Sequence, residues 1–269
     1  MLAGEDCEQN LIGTIEDTMN DPHVSWLEYE LQSGWAFECP PPQPWTTPVF
    51  NAILDKGRLC VDLVEHYEAI EDARKAVEQY LWSWEIDVAL SCGNREFVFN
   101  FRDGKVIDRE PSPPGTEVVG TVDCVLEDVK CVATGTCTLK SYPAPPTTFE
   151  ANPDVRTLWN RYEGYRNGRE PLAAMAYFCL TVLEWRFGGR GKASKKLGVD
   201  PQVLRWVGEL STERGDNNIA RKMTANVTPF AAKEKKWLDA ATRALIRRAG
   251  EIHSGNAAPR LTMKDLPPL

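Results

Sequence analysis

The 269-residue chain reads as α+β over its first half and all-α over its second. Charge divides it: residues 1–150 hold 10 basic and 27 acidic side chains, a net of −17, and residues 151–269 hold 21 and 12, a net of +9, within an overall −8. In the first half apolar residues alternate, as Phe97, Phe99 and Phe101 do, which suits strands buried on one face. Past residue 150 they recur at helical spacing and strand patterns cease. The expectation is a helix packed on a small, mainly antiparallel sheet in residues 1–147, followed by a basic helical bundle in residues 148–269.

Residues 1–34 carry no strong pattern and read as a loosely specified opening. The segment from Cys39 to Pro48 holds five prolines, so it must run extended or polyproline-like, and Trp35, Phe37, Trp45 and Phe50 suggest that it packs down. Leu59–Tyr67 reads as a strand with Leu59, Val61 and Leu63 on one face. A helix opens at Glu71-Asp72, acids favoured by the helix dipole, and carries Ala73, Val77, Leu81, Trp84 and Val88 at helical spacing before Cys92-Gly93-Asn94 ends it. Glu96–Arg102 reads as a strand, Asp103-Gly104 as a hairpin turn and Lys105–Asp108 as the start of a return strand. After Pro111–Gly115, Val118–Leu126 and Val129–Leu139 are two further β-like runs, and Tyr142–Thr148 is a linker.

In the second half Asn152-Pro153-Asp154 starts a helix that Asn167-Gly168 ends. Pro171 precedes Leu172–Trp185, apolar nearly all round, which marks a central bundle helix. Gly188–Gly191 breaks it. Short helices follow at Ala193–Leu197 and Pro201–Leu210, a polar turn at Glu213–Asn218, and a last long helix from about Ala231 to His253.

Several classes are set aside on composition. The acidic N-terminus MLAGEDCEQN lacks the basic, then apolar, pattern of a secretory signal, and no run reaches the ~18 apolar residues of a membrane span. A cytoplasmic protein without membrane partners is the expectation. The eight cysteines show no C-x2-C or C-x4-C zinc spacing and read as reduced core residues, with Cys124, Cys131 and Cys137 the surviving candidate cluster. Gly191-Lys192 lacks the spacing of a phosphate-binding loop. Neither metal nor cofactor is expected.

Three constellations in the basic half are candidates for chemistry. The first is Arg248-Ala-Gly-Glu-Ile-His253, at the end of the last long helix. Here the chain resembles the HEPN superfamily, whose ribonucleases carry Arg, four to six residues, then His near a helix end. Ala249 stands where that family often has Asn, Asp or His; starting from Arg247 gives five intervening residues instead. The resemblance implies a helical domain that dimerises, pairs two motifs into a metal-independent RNA-cleaving site, and often serves bacterial defence or toxin systems. His253 would move the proton and Arg248 would bind the phosphate, roles that suit a near-neutral imidazole and a guanidinium fork. On a helical wheel Leu238, Ala241, Leu245, Ala249 and Ile252 form an apolar stripe with Arg248 and His253 on opposite edges, so a homodimer through the C-terminal helices would have to bring them together.

The second constellation, Gly191–Trp206, is laid out as a helix-turn-helix: Gly198 at the turn, Asp200 capping, Pro201 at a first helical position. Gln202 and Arg205 would face a groove, and Lys192, Lys195 and Lys196 would meet phosphates, with Arg247 adding positive charge for RNA. The third, Glu213–Lys222, is a polar turn that reads first as an exposed connection. Against all of these stands a non-enzymatic adaptor in which the basic half meets the acidic half or a partner chain. In the acidic half Glu65, Glu85, Asp87 and their neighbours read as a solvated face, and His66 as partnerless.

Overall fold

The computed structural model describes residues 20–37, 40–92, 96–110, 138–139, 141–214, 228–252 and 259–269. A five-stranded antiparallel sheet occupies the N-terminal part, and five of the six helices among the described residues follow it. The sheet is built from β1 (Pro22–Ser33), β3 (Gln43–Thr46), β4 (Phe50–Asp55), β5 (Arg58–Leu63) and β6 (Phe97–Asp108), in the order β3-β4-β5-β1-β6. A small parallel pair, β2 (Ala36–Phe37) with β7 (Thr138–Leu139), lies beside it.

β1 was not legible as a strand. It pairs on both edges, with β5 and β6, yet bulges between Val24 and Trp26 and between Glu28 and Tyr29 break its alternation. β4 and β5 form a hairpin through Lys56-Gly57, both at positive φ (48° and 78°), the backbone that a two-residue turn of this hand requires. Pro44 is tolerated because β3 is an edge strand.

Asp103-Gly104 is not a hairpin turn. β6 runs unbroken from Phe97 to Asp108 against β1, with Asp103 opposite Glu28 and Gly104 opposite Leu27. The glycine serves close approach instead: a Cβ on Gly104 would meet Leu27 Cδ2 at 2.8 Å. The β-like runs at 118–126 and 129–137 and Cys124, Cys131 and Cys137 lie outside the described residues.

α1 (Ile70–Cys92) crosses the sheet and has two apolar faces. Ala73, Val77, Leu81, Trp84 and Val88 pack on Leu27, Phe50, Leu59, Val61 and Phe97. Ile86 and Leu90, on another side, belong to the core of the helices that follow. The segment read as a linker is a strap laid over this helix. The Tyr142 hydroxyl accepts from Gly57 N (2.9 Å), Trp84 Nε1 donates to the Pro143 carbonyl (3.2 Å), and Ala151 N donates to Ser83 Oγ (2.9 Å).

α2 (Pro153–Arg166) starts at Asn152, whose side chain accepts from Val155 N at 3.0 Å. α3 (Leu172–Phe187) touches α2, α4, α5 and α6, and Met175, Ala176, Cys179, Leu180 and Leu183 are fully enclosed. Gly188, at φ 72°, ends it. α4 (Arg190–Leu197), a turn at Gly198-Val199-Asp200 and α5 (Pro201–Glu213) follow, then α6 (Ala232–Glu251). No helix among the described residues is long and apolar enough to cross a membrane.

Candidate functional site

The C-terminal end of α6 is held from two sides. Trp237, Leu238, Ala241, Leu245, Ile246 and Ala249 are buried within this same chain, and Ile252, at the end of the same stripe, is half-buried. Glu150 N donates to the Gly250 carbonyl (3.1 Å), and Phe149 rests where a Cβ on residue 250 would fall. Arg247 reaches across to α1: Nη1 lies 3.0 Å from Asp87 Oδ1, and Nη2 donates to the Asp87 carbonyl (3.0 Å) and Ser91 Oγ (2.6 Å). Burial raises the Asp87 carboxyl pKa, and the Arg247 guanidinium pulls it back part of the way.

Arg248 points elsewhere. Its Nη1 pairs with Glu251 Oε2 at 3.2 Å and its Nη2 donates to the Pro259 carbonyl. Both arginines of the motif are therefore engaged by the chain itself. His253 lies outside the described residues, as do 215–222 of the polar tract.

α4 presents the opposite situation. Its buried side is Ala193, Ser194 and Leu197, with Ser194 Oγ donating to the Val199 carbonyl at 2.7 Å. Lys192, Lys195 and Lys196, at i, i+3 and i+4, share the exposed side. Among the described residues no ion pair engages any of the three. The arginines around them are mostly consumed: Arg190 on Glu184 (2.5 Å), Arg186 on Asp154 (2.8 Å), Arg214 on Glu234 (3.1 Å) and Arg243 on Asp239 (3.2 Å). Arg205 is exposed on α5 and 3.5 Å from Glu209. The helix dipole favours Lys195 and Lys196 in the last turn but opposes Lys192 in the first, and like charges four apart repel.

The α4–turn–α5 unit has the local form of a helix-turn-helix. Gly198 is left-handed (φ 62°), and Asp200 Oδ1 caps α5 by accepting from Gln202 N at 2.8 Å. The turn has its own partner: Leu261 N donates to the Gly198 carbonyl and Asp200 N to the Leu261 carbonyl, each at 2.8 Å. Gln202 and Arg205 remain exposed beside it.

In the acidic half His66 is not partnerless. His66 stacks on His23 with ring centroids 5.3 Å apart, and its Nε2 is 3.5 Å from Asp21. Glu85 and Asp87 do not belong to one solvated face. Asp87 faces Arg247, whereas Glu85 turns to β6, where its Oε1 accepts from Phe99 N at 2.7 Å. Desolvation pushes the Glu85 carboxyl up to about 7, the Phe99 N–H opposes this, and Glu78 and Glu163 add to it. A second stripe on α1, Trp82, Glu85, Ile86 and Ala89, was the available signal for this site. It was masked by the stronger stripe that faces the sheet.

No protein-family model, curated protein or solved structure matches this chain.

Proposed function

We propose that this protein binds RNA through the lysine face of α4, with the helices α2–α6 acting as a HEPN-like bundle and the acidic half bracing α6. One observation carries the reading: in a region where arginines are mostly spent on internal ion pairs, three lysines on one side of a two-turn helix have no described counter-charge. Uncompensated like charges on a short helix cost stability, and a phosphate backbone is the ligand that offsets them. Arg205, whose pair with Glu209 is loose and exposed, adds to the same positive region.

The test is binding of a fluorescent single-stranded RNA to the full chain and to the triple variant Lys192→Ala, Lys195→Ala, Lys196→Ala. The reading expects at least a tenfold loss of affinity, and equal affinity rejects it. Cleavage is the further expectation of the HEPN resemblance. It requires Arg248 to exchange Glu251 and the Pro259 carbonyl for phosphate, and it predicts that His253→Ala abolishes RNase activity while leaving RNA binding within about twofold.

A second reading, a helix-turn-helix DNA regulator, is favoured by the capped turn between α4 and α5 with Gln202 and Arg205 exposed on the second helix. It predicts that duplex DNA outcompetes RNA and that Gln202→Ala alters sequence preference. The backbone bonds from Leu261 to the turn weigh against deep entry of α5 into a groove.

A further inference from the structure

All nine tryptophans of the chain lie within the described residues, and eight of them are buried or half-buried. Trp185, in the last turn of α3, is 81% exposed. Among the described residues no ring, cation or hydrogen-bond partner engages it. An indole left in water stabilises nothing in the fold, because its apolar faces stay hydrated.

Its position sets it against the lysine face of α4. Gly188 follows three residues later, about 4.5 Å further along the helix axis at the usual rise. Lys192 folds back over that glycine: a Cβ on Gly188 would lie 3.6 Å from Lys192 Nζ. A long side chain on a helix leans toward the N-terminus, so the indole tilts away from this ammonium, which leaves its faces open. The charged residues flanking Trp185 are already neutralised in pairs, Glu184 with Arg190 (2.5 Å) and Arg186 with Asp154 (2.8 Å). The charge left beside the indole is that of Lys192, with Lys195 and Lys196 on the same side of α4. An open aromatic ring next to a row of uncompensated cations is what a single strand of nucleic acid requires, since a base stacks on the ring while the backbone meets the cations. A duplex keeps its base faces stacked inside, and a base-free polyanion has none.

We infer that Trp185 is a stacking platform for an unpaired base, so that this surface takes single-stranded RNA in preference to duplex RNA. The inference rests on the reading that the lysine face of α4 binds RNA, and adds to it a base-contacting residue and the strandedness of the ligand.

The probes are a short fluorescent RNA of mixed sequence, the same strand annealed to its complement, and inorganic polyphosphate, each titrated into the full chain. Trp185→Ala is expected to weaken the single strand about five- to hundredfold, the range for losing one stacked base. Its salt slope stays that of the parent, because no phosphate contact is removed. Trp185→Phe keeps an aromatic face and stays within about threefold of the parent. Duplex and polyphosphate affinities change by less than about twofold in Trp185→Ala, and its melting temperature matches the parent's, as expected for an exposed residue. Equal single-strand affinity in Trp185→Ala, with the lysine triple variant still weakened, overturns the stacking role and leaves RNA binding by α4 standing. Failure of the parent to bind any of the three probes removes the RNA reading itself and the stacking role with it. Duplex bound by the parent as tightly as the single strand, or an equal loss of polyphosphate in Trp185→Ala, also overturns the inference. So does a parent dimer that Trp185→Ala converts to monomer in light scattering, because the indole then covers a second copy of this chain.

Discussion

The end of α6 and the outer side of α4 are both basic, and they use their charge in opposite ways. At the end of α6, Arg247 and Arg248 are each held by an acid and by backbone carbonyls of this chain. On α4, Lys192, Lys195 and Lys196 stand in solvent with no described partner. A compensated charge in a half-buried contact holds the fold, and removing its partner leaves the other stranded. An uncompensated charge on the surface is available to a ligand. On α1 the two acids also differ: Asp87 is paired with a guanidinium, whereas Glu85, two residues earlier, is held by the Phe99 N–H. Charge count alone therefore overstates the binding surface, and pairing is what sorts it.

The largest effect expected from this division is a pH dependence of stability that belongs to Glu85. Its carboxyl titrates near 7 when folded, above its ordinary value of 4.5, so between those values the native state holds the proton more tightly than the unfolded chain. Stability from this group is fully present below the lower value and is lost as pH rises through the upper one. The size is on the order of 3 kcal/mol. Urea denaturation at pH 4.5 and pH 8 should show that difference shrink in Glu85→Gln.

Next in size, Arg247→Ala should cost about 2 kcal/mol in urea unfolding, because Asp87 is left desolvated without its cation. RNA affinity should stay within about twofold. A large loss of RNA binding with little loss of stability would break the contrast between the two basic regions.

The triple lysine variant should behave in reverse. RNA affinity falls by at least tenfold, about 1.4 kcal/mol, while unfolding free energy changes by less than about 0.5 kcal/mol. Smallest of all, Arg205→Ala should change stability by less than about 0.5 kcal/mol, since its pair with Glu209 is long and exposed, and should lower RNA affinity about threefold.

Much of the helical half was legible from sequence because its signals are local. Asn152 and Asp200 cap where expected, and Gly188 and Gly198 end helices in left-handed backbone. The sheet was harder because strands report on partners far along the chain. The two bulges of β1 break its alternation, the Lys56-Gly57 turn that joins β4 to β5 lacks an Asn-Gly or Asp-Gly signature, and Gly104 looks the same in a hairpin as in a close approach to Leu27. The site divided along the same line. Lysines on one side of α4 follow from helical spacing, whereas the capture of Arg247 by Asp87 joins residues 160 positions apart, and no local pattern reveals it. Glu85 is hidden for a related reason: its burial and its hydrogen bond from Phe99 N depend on elements other than its own.

The salt dependence of RNA binding addresses the α4 surface most directly. Each lysine that neutralises a phosphate contributes about 0.7 to the slope of log affinity against log salt on a single strand. With three lysines engaged, the triple alanine variant should show a slope shallower than the parent by about 2 across 50 to 300 mM salt. Identical slopes for the two proteins, or no measurable RNA binding by the parent at 50 mM salt, would contradict the account.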